Sequence, residues 1–213
     1  MIFHQIDAGG DRNFAYLIAD KDGGSAALFD PPPERDLYLP LIEQHGAKVE
    51  YIIITHGHQD HTWGVDEAHQ QTGGKVVAHT ANPVDAQIRV DDGDTLPLGD
   101  LTLKIFFTPG HSDDSICILC DKKLITGDIL FVGKVGGTDF GENARKEYES
   151  LHNKIMTMDD DVEIYPGHNF GVKPVSTIGH ERLTNPFLQQ GSLEEFVDLK
   201  RNWLAYKKEH GIP

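Results

Sequence analysis

Tyr51-Ile52-Ile53-Ile54-Thr55-His56-Gly57-His58-Gln59-Asp60-His61-Thr62-Trp63-Gly64 divides into two halves of opposite character. The first is a short run of aromatic and β-branched residues, the composition of a buried strand. The second packs His56, His58, Asp60 and His61 into six residues. Imidazole and carboxylate are the ligand types that zinc and iron accept. In an extended segment alternate side chains share a side, so His56, His58 and Asp60 project together while His61 reaches a neighbouring point. One loop at a strand end therefore offers ligands to two metals.

The same grammar recurs downstream. Apolar strands predicted over 101–107, 123–125 and 162–165 run into Thr108-Pro109-Gly110-His111, Thr126-Gly127-Asp128 and Pro166-Gly167-His168. Each motif is a strand, a Gly or Pro turn, and one ligand-type residue. Strands lying side by side gather such residues on one rim of a sheet, where open α/β architectures keep their sites. His111, Asp128 or His168 alone would read as a solvated or turn-forming residue. Together with the first motif they give seven candidate ligands.

The remaining pattern alternates strands and helices. Strands are predicted over 2–6, 14–19, 26–29, 49–54, 75–78, 101–107, 116–119, 123–126 and 162–165. Helices are predicted over 34–45, 65–71 and 143–156, with a C-terminal helix over 193–207 carrying Phe196, Leu199, Trp203 and Tyr206 on one stripe. Residues 82–99 read as a loop with at most one short strand. Without repeats or a low-complexity linker, the economical reading is one domain over residues 1–213.

The 213 residues carry a net charge of −15, with 34 acidic against 19 basic side chains, and offer no basic stripe for phosphates, which argues against a nucleic-acid partner. No apolar run approaches the ~18–20 residues of a membrane span, so no membrane partner is expected. Met1-Ile2-Phe3-His4 does not open as a secretory leader, and a cytoplasmic location is expected. The only cysteines, Cys117 and Cys120, are three apart on a predicted strand and should face opposite ways as buried small hydrophobes. Trp63 is expected to pack under the metal loop. A homo-oligomer is compatible with the chain.

The four motifs resemble those of the metallo-β-lactamase superfamily over residues 54–168. That resemblance implies an α/β fold, the four-layer αβ/βα sandwich with a metal site on its rim. It implies one metal held by His56, His58 and His111, a second held by Asp60, His61 and His168, and Asp128 bridging them. Aspartate at 128 in place of cysteine, and His61 in place of arginine, point away from a true β-lactamase. The intact His-x-His-x-Asp-His excludes the flavodiiron variant.

Within the superfamily, Thr126-Gly-Asp-Ile-Leu-Phe-Val-Gly133, Tyr165-Pro-Gly-His-Asn-Phe-Gly171 and the segment from Val175 to Phe187 resemble the glyoxalase II-like hydrolases and the persulfide dioxygenases. Both groups act on glutathione conjugates. Two departures stand out. Only about 45 residues follow His168, too few for the full helical glutathione-clamping domain of glyoxalase II. The Gly-Arg-Thr-Asp of the dioxygenases is Gly136-Gly137-Thr138-Asp139 here.

The resemblance implies a hydrolase that cleaves a small-molecule thioester, of glutathione or a related thiol, with a metal-bound hydroxide. Two Zn(2+) ions would acidify a bridging water toward ~7, with Asp60 and Asp128 orienting it as well as ligating. The competing reading is a mononuclear Fe(2+) persulfide dioxygenase, with His56, His111 and Asp128 as a two-His, one-carboxylate triad. A mixed metal site, or a metal-binding scaffold without turnover, would use the same residues. Lys134, Lys173 and Arg182, in or near the rim loops, are the candidate contacts for a substrate carboxylate.

Overall fold

The computed structural model describes residues 1–212. In chain order the elements are β1 (Ile2–Gly9), β2 (Asn13–Ala19), β3 (Ser25–Phe29), α1 (Leu39–His45), β4 (Lys48–Ile53), α2 (Gln59–Thr62), α3 (Val65–Thr72), β5 (Lys75–His79) and β6 (Ile88–Val90). They continue with β7 (Thr95–Leu98), β8 (Leu101–Phe107), β9 (Ile116–Cys120), β10 (Lys123–Gly127), β11 (Leu130–Phe131), β12 (Lys134–Val135), α4 (Glu142–Asn153), β13 (Glu163–Pro166), β14 (Ser176–Thr177), α5 (Ile178–Thr184), α6 (Leu193–Arg201) and α7 (Trp203–His210). Two six-stranded sheets result, in the orders β1-β2-β3-β4-β5-β6 and β14-β13-β10-β9-β8-β7. The β3–β4–β5–β6 pairings and β10–β13 are parallel, while β8, β9 and β10 form an antiparallel meander.

Side-chain alternation turns these sheets into four layers. On β2, Phe14, Tyr16 and Ile18 face the second sheet, where they pack with Leu103, Ile105, Ile118 and Ile125. Ala15, Leu17 and Ala19 point the other way and share a second core with Tyr38, Val65 and Ala68. The outer face of the second sheet, including Leu124 and Ile164, is covered by Leu151, Phe196 and Leu199. Sheets buried on both faces need apolar residues at successive strand positions, which is why β2 reads as a continuous hydrophobic run from Phe14 to Ala19. Cys117 lies in the outer core and Cys120 in the central one, as their spacing predicts.

Several elements depart from the sequence reading, which predicts none of α2, β11, β12, β14 and α5 and runs the helix over 143–156 past its end at Asn153. The segment 82–99 supplies two strands, β6 and β7, one at an edge of each sheet. The predicted helix over 34–45 starts only at Leu39, because Pro40 in its first turn favours a start there; a short 3-10 turn over Arg35–Leu37 precedes it. The C-terminal helix breaks at Asn202, whose backbone (φ −101°, ψ 11°) leaves helical geometry and whose side-chain amide donates back to the Asp198 carbonyl. Among the described residues no helix is long and apolar enough to cross a membrane.

Candidate metal centre

Strand ends deliver the site. β4 runs into His56, His58, Asp60 and His61; β8 leads to His111, β10 to Asp128 and β13 to His168. Glycine is required at three of these turns, and at Gly110 a Cβ would lie 2.4 Å from Glu147 Cα. Gly127 adopts φ +49°, a left-handed conformation that costs L-residues energy, and a Cβ on Gly167 would lie 2.3 Å from Asp128 Oδ1.

All seven predicted ligands come together. His58 Nδ1 lies 3.0 Å from His56 Nε2 and 3.0 Å from His111 Nε2. His61 Nε2 is 3.2 Å from His168 Nε2, and Asp60 Oδ2 is 3.3 Å from the same His168 nitrogen. Asp128 stands between the two groups: its Oδ2 is 3.6 Å from His111 Nε2 and 3.3 Å from His168 Nε2, and its Oδ1 is 3.5 Å from His61 Nε2. Three sets, His56/His58/His111, His56/His61/Asp128 and Asp60/His61/His168, each have their ligand atoms within 4.8 Å of one another.

The far side of each ring explains which nitrogen faces inward. His61 Nδ1 donates to Asp30 Oδ2 (2.9 Å), His111 Nδ1 to the Gly137 carbonyl (2.9 Å) and His168 Nδ1 to the Asp11 carbonyl (2.9 Å). His56 Nδ1 contacts Thr55 Oγ1 (3.1 Å), which itself donates to Asp30 Oδ2. A neutral imidazole protonated outward presents a bare lone pair inward. Facing lone pairs about 3 Å apart repel in the absence of a cation between them, and ligands bound to one ion at ~2.0–2.1 Å sit at about that separation. Asp128 Oδ1 is buried without a hydrogen-bond partner, an acceptor left for the same cation. The donor set therefore fits metal binding, and backing each ligand ring in this way fixes tautomer and orientation.

The electrostatics divide the site. Burial pushes the His56 pKa well below the ordinary histidine value, helped by His61, and burial likewise lowers His111. Burial also opposes a charge on His61, but Asp30 outweighs it and lifts the ring to about 9. Asp60 and Asp128 are both held below the ordinary aspartate value against burial, Asp60 by the Asn13 amide and Asp128 by His168 and His61. A metal bound at His61 Nε2 needs that nitrogen deprotonated, while the outward Nδ1–H to Asp30 is kept.

Other assignments need correction. Trp63 does not pack under the loop: it is 53% exposed. With Leu37, Pro32 and Pro33 it walls a cleft of about 350 Å³ that reaches Asp60 and Asn13. The neighbouring Gly64 packs against the Pro31-Pro32 backbone, where a Cβ would lie 2.2 Å from the Pro32 carbonyl oxygen. Arg182 is not at the site; it pairs with Asp160 and donates to the Met156 and Met158 carbonyls (2.9 and 3.0 Å), closing the end of the α4 layer. Lys173 is exposed in the loop before β14. Lys134 does sit beside the centre: its Nζ lies 4.2 Å from the centroid of Phe170, which stacks on His168 at 4.6 Å. Burial lowers the Lys134 pKa, with Lys207 and Arg12 acting in the same direction.

Sequence reasoning missed Asp30 and Asn13. Asp30 accepts from the Thr55 amide (2.8 Å), the Thr55 hydroxyl (2.6 Å) and His61, while Asn13 Nδ2 donates to Asp60 Oδ2 (2.9 Å). Asp30 had a signal: it follows the apolar β3 just as the ligands follow their strands.

The comparisons with known proteins agree with this geometry. The metallo-beta-lactamase superfamily model matches residues 8–84 and 80–168. The human persulfide dioxygenase ETHE1 is 35% identical over 89% of this chain and 76% of its own length. The hydroxyacylglutathione hydrolase of Anaeromyxobacter dehalogenans is 31% identical over 89% of this chain and 86% of its own. The crystal structure of ETHE1 from Myxococcus xanthus superposes with a TM-score of 0.89 at 33% identity, over 95% of this chain and 91% of that one. On the family model, these relatives and the shared fold, the chain belongs to the metallo-β-lactamase superfamily.

Proposed function

We propose that the protein is a metal-dependent hydrolase of a small thioester, its two metals held by His56, His58 and His111 on one side and by Asp60, His61 and His168 on the other, with Asp128 between them. One observation carries this reading: Asp128 offers one carboxylate oxygen within 3.6 Å of His111 and the other within 3.5 Å of His61, the disposition of a bridging carboxylate. Metals held by these residues would supply an acidified water near neutral pH and would polarise the substrate carbonyl. The chain supplies the rest. Asp30 and the Asp11 and Gly137 carbonyls hold the rings so that no ligand must reorient during turnover. Asn13 fixes the direction of the Asp60 carboxylate by donating to its Oδ2. The cleft under Trp63 and Leu37 gives the acyl group an apolar wall beside Asp60. A departing thiolate, with an intrinsic pKa of about 8.5, needs little protonation, which suits a rim without a further acid.

A second reading, oxidation of a persulfide at one iron held by His56, His111 and Asp128, is favoured by the likeness to the persulfide dioxygenases named above. The two reactions differ in their need for oxygen. Hydrolysis of a glutathione thioester is expected to proceed at the same rate under nitrogen as in air. Negligible thioester cleavage together with oxygen uptake on adding glutathione persulfide would overturn the hydrolase reading.

A further inference from the structure

A second set of facing imidazoles lies outside the rim, on the outer face of the first sheet. On β1 the residues Ile2, His4 and Ile6 share a side, and the two isoleucines share a core with Leu39 and Ile42 of α1. His4 therefore faces the same helix. α1 ends in His45, and His4 Nε2 stands 2.8 Å from His45 Nε2, with ring centroids 5.0 Å apart. Behind His45, Asp22 in the turn between β2 and β3 accepts from Nδ1 at 2.8 Å. β3 and β4 run in parallel from this end of the sheet toward the rim, so the cluster lies at the end remote from the metal centre.

With its proton held by Asp22, a neutral His45 turns a bare lone pair toward His4. His61 and Asp30 show the same arrangement at the metal centre. Burial lowers the His4 pKa, with His45 acting in the same direction, and two imidazolium rings could not stand so close. His4 meets that lone pair in one of two ways. Protonated on Nε2 it donates a hydrogen bond; protonated on Nδ1 it offers a second lone pair, and the two rings chelate a cation. The spacing indicates which cation. At a metal–imidazole bond of ~2.0–2.1 Å, ligands at right angles lie about 2.9 Å apart and tetrahedral ligands about 3.3 Å apart. Right-angled sites suit Ni(2+) and Cu(2+) rather than Zn(2+).

We propose that His4 and His45 form a binding site for a divalent transition metal of right-angled geometry, Ni(2+) or Cu(2+), with Asp22 fixing the His45 ring and water completing the coordination. The ion would join the edge strand β1 to α1 at a point independent of the chemistry on the rim.

Equilibrium dialysis of the protein as purified against Ni(2+), with the amount of each metal per chain measured afterwards, tests this without requiring turnover. The expected result is uptake of about one nickel per chain while the metal already bound is retained. His4→Ala and His45→Ala should abolish that uptake. Asp22→Asn, which removes the charge behind His45, should weaken it roughly 10-fold or more. His180→Ala, at an exposed histidine elsewhere, should change nothing. The Asp22 side chain is 81% exposed, so its variant stays informative should either histidine variant fold poorly. Uptake that is unchanged in His45→Ala and Asp22→Asn, or nickel that enters only by displacing the resident metal, would overturn the assignment. So would a wild type that takes up no nickel, which would leave His4 and His45 joined by a hydrogen bond alone.

Discussion

Asp128→Asn is expected to leave the fold intact while the protein loses at least one metal and, on the order of 10³-fold, its turnover. Asparagine keeps the size of the side chain and most of its turn-forming capacity, so Gly127 and β10 retain their geometry. What disappears is the negative charge lying between the two histidine groups. Asp128 is buried at 7% exposure, its Oδ1 has no hydrogen-bond partner, and His61 and His168 hold it ionised. Two cations a few ångströms apart repel each other, and a carboxylate between them relieves that repulsion and sets their spacing, ~3.5–4 Å in productive pairs. Metal analysis, circular dichroism and the thioester assay on the same preparation check the expectation. Wild-type metal content and rate would reduce Asp128 to a turn former.

The second large effect concerns stability. Lys200 on α6 and Glu147 on α4 form an ion pair with side chains only 6% and 0% exposed, and Lys200 Nζ also donates to the Gly136 carbonyl at 2.6 Å. The next carbonyl, of Gly137, holds His111. The pair therefore fastens the α4–α6 layer to the loop that positions a ligand. Lys200→Met strands a buried carboxylate, a change that costs about 3–5 kcal/mol. The sign of its pH dependence follows from Glu147, whose pKa burial raises from 4.5 to about 7 even with Lys200 opposing. A carboxyl raised in the folded state holds a proton that the unfolded chain has already released, so its contribution to stability falls as pH rises from 4.5 through its folded value. Without Lys200 that value rises further. The variant's deficit in denaturant unfolding should thus be larger at pH 8 than at pH 6, and Lys200→Met with Glu147→Leu should recover most of it. Equal deficits at both pH values would show that Glu147 is not the stranded charge.

Much of the site was legible because its chemistry is written locally. A ligand-type residue after a strand marks a rim position whatever the partner strand, but the motifs do not converge by adjacency within one sheet as the sequence suggests: β4 ends on the first sheet, and β8, β10 and β13 on the second. The layer order was legible from continuous apolar runs such as 14–19, which only a sheet covered on both faces requires. What escaped depends on long-range contact. Asp30 stands before three prolines and reads as a turn, and its role exists only because β3 lies parallel to β4 and brings it to Thr55 and His61. Asn13, the first residue of β2, bridges to His168, and Arg12 lies in the turn just before it, on the wall of a groove that α7 also lines. Arg182 was misread for the converse reason: a basic residue near the rim in sequence is spent on Asp160 and two carbonyls. The break at Asn202 turns on a side-chain hydrogen bond that an apolar stripe does not reveal.

The central claim is that this rim holds two metals joined by Asp128. Elemental analysis of protein purified without added metal, with the ratio of each metal to polypeptide measured alongside that of His168→Ala, addresses it most directly. About two zinc ions per chain are expected in the wild type and about one in the variant. A single iron per chain, retained in His168→Ala, would contradict it.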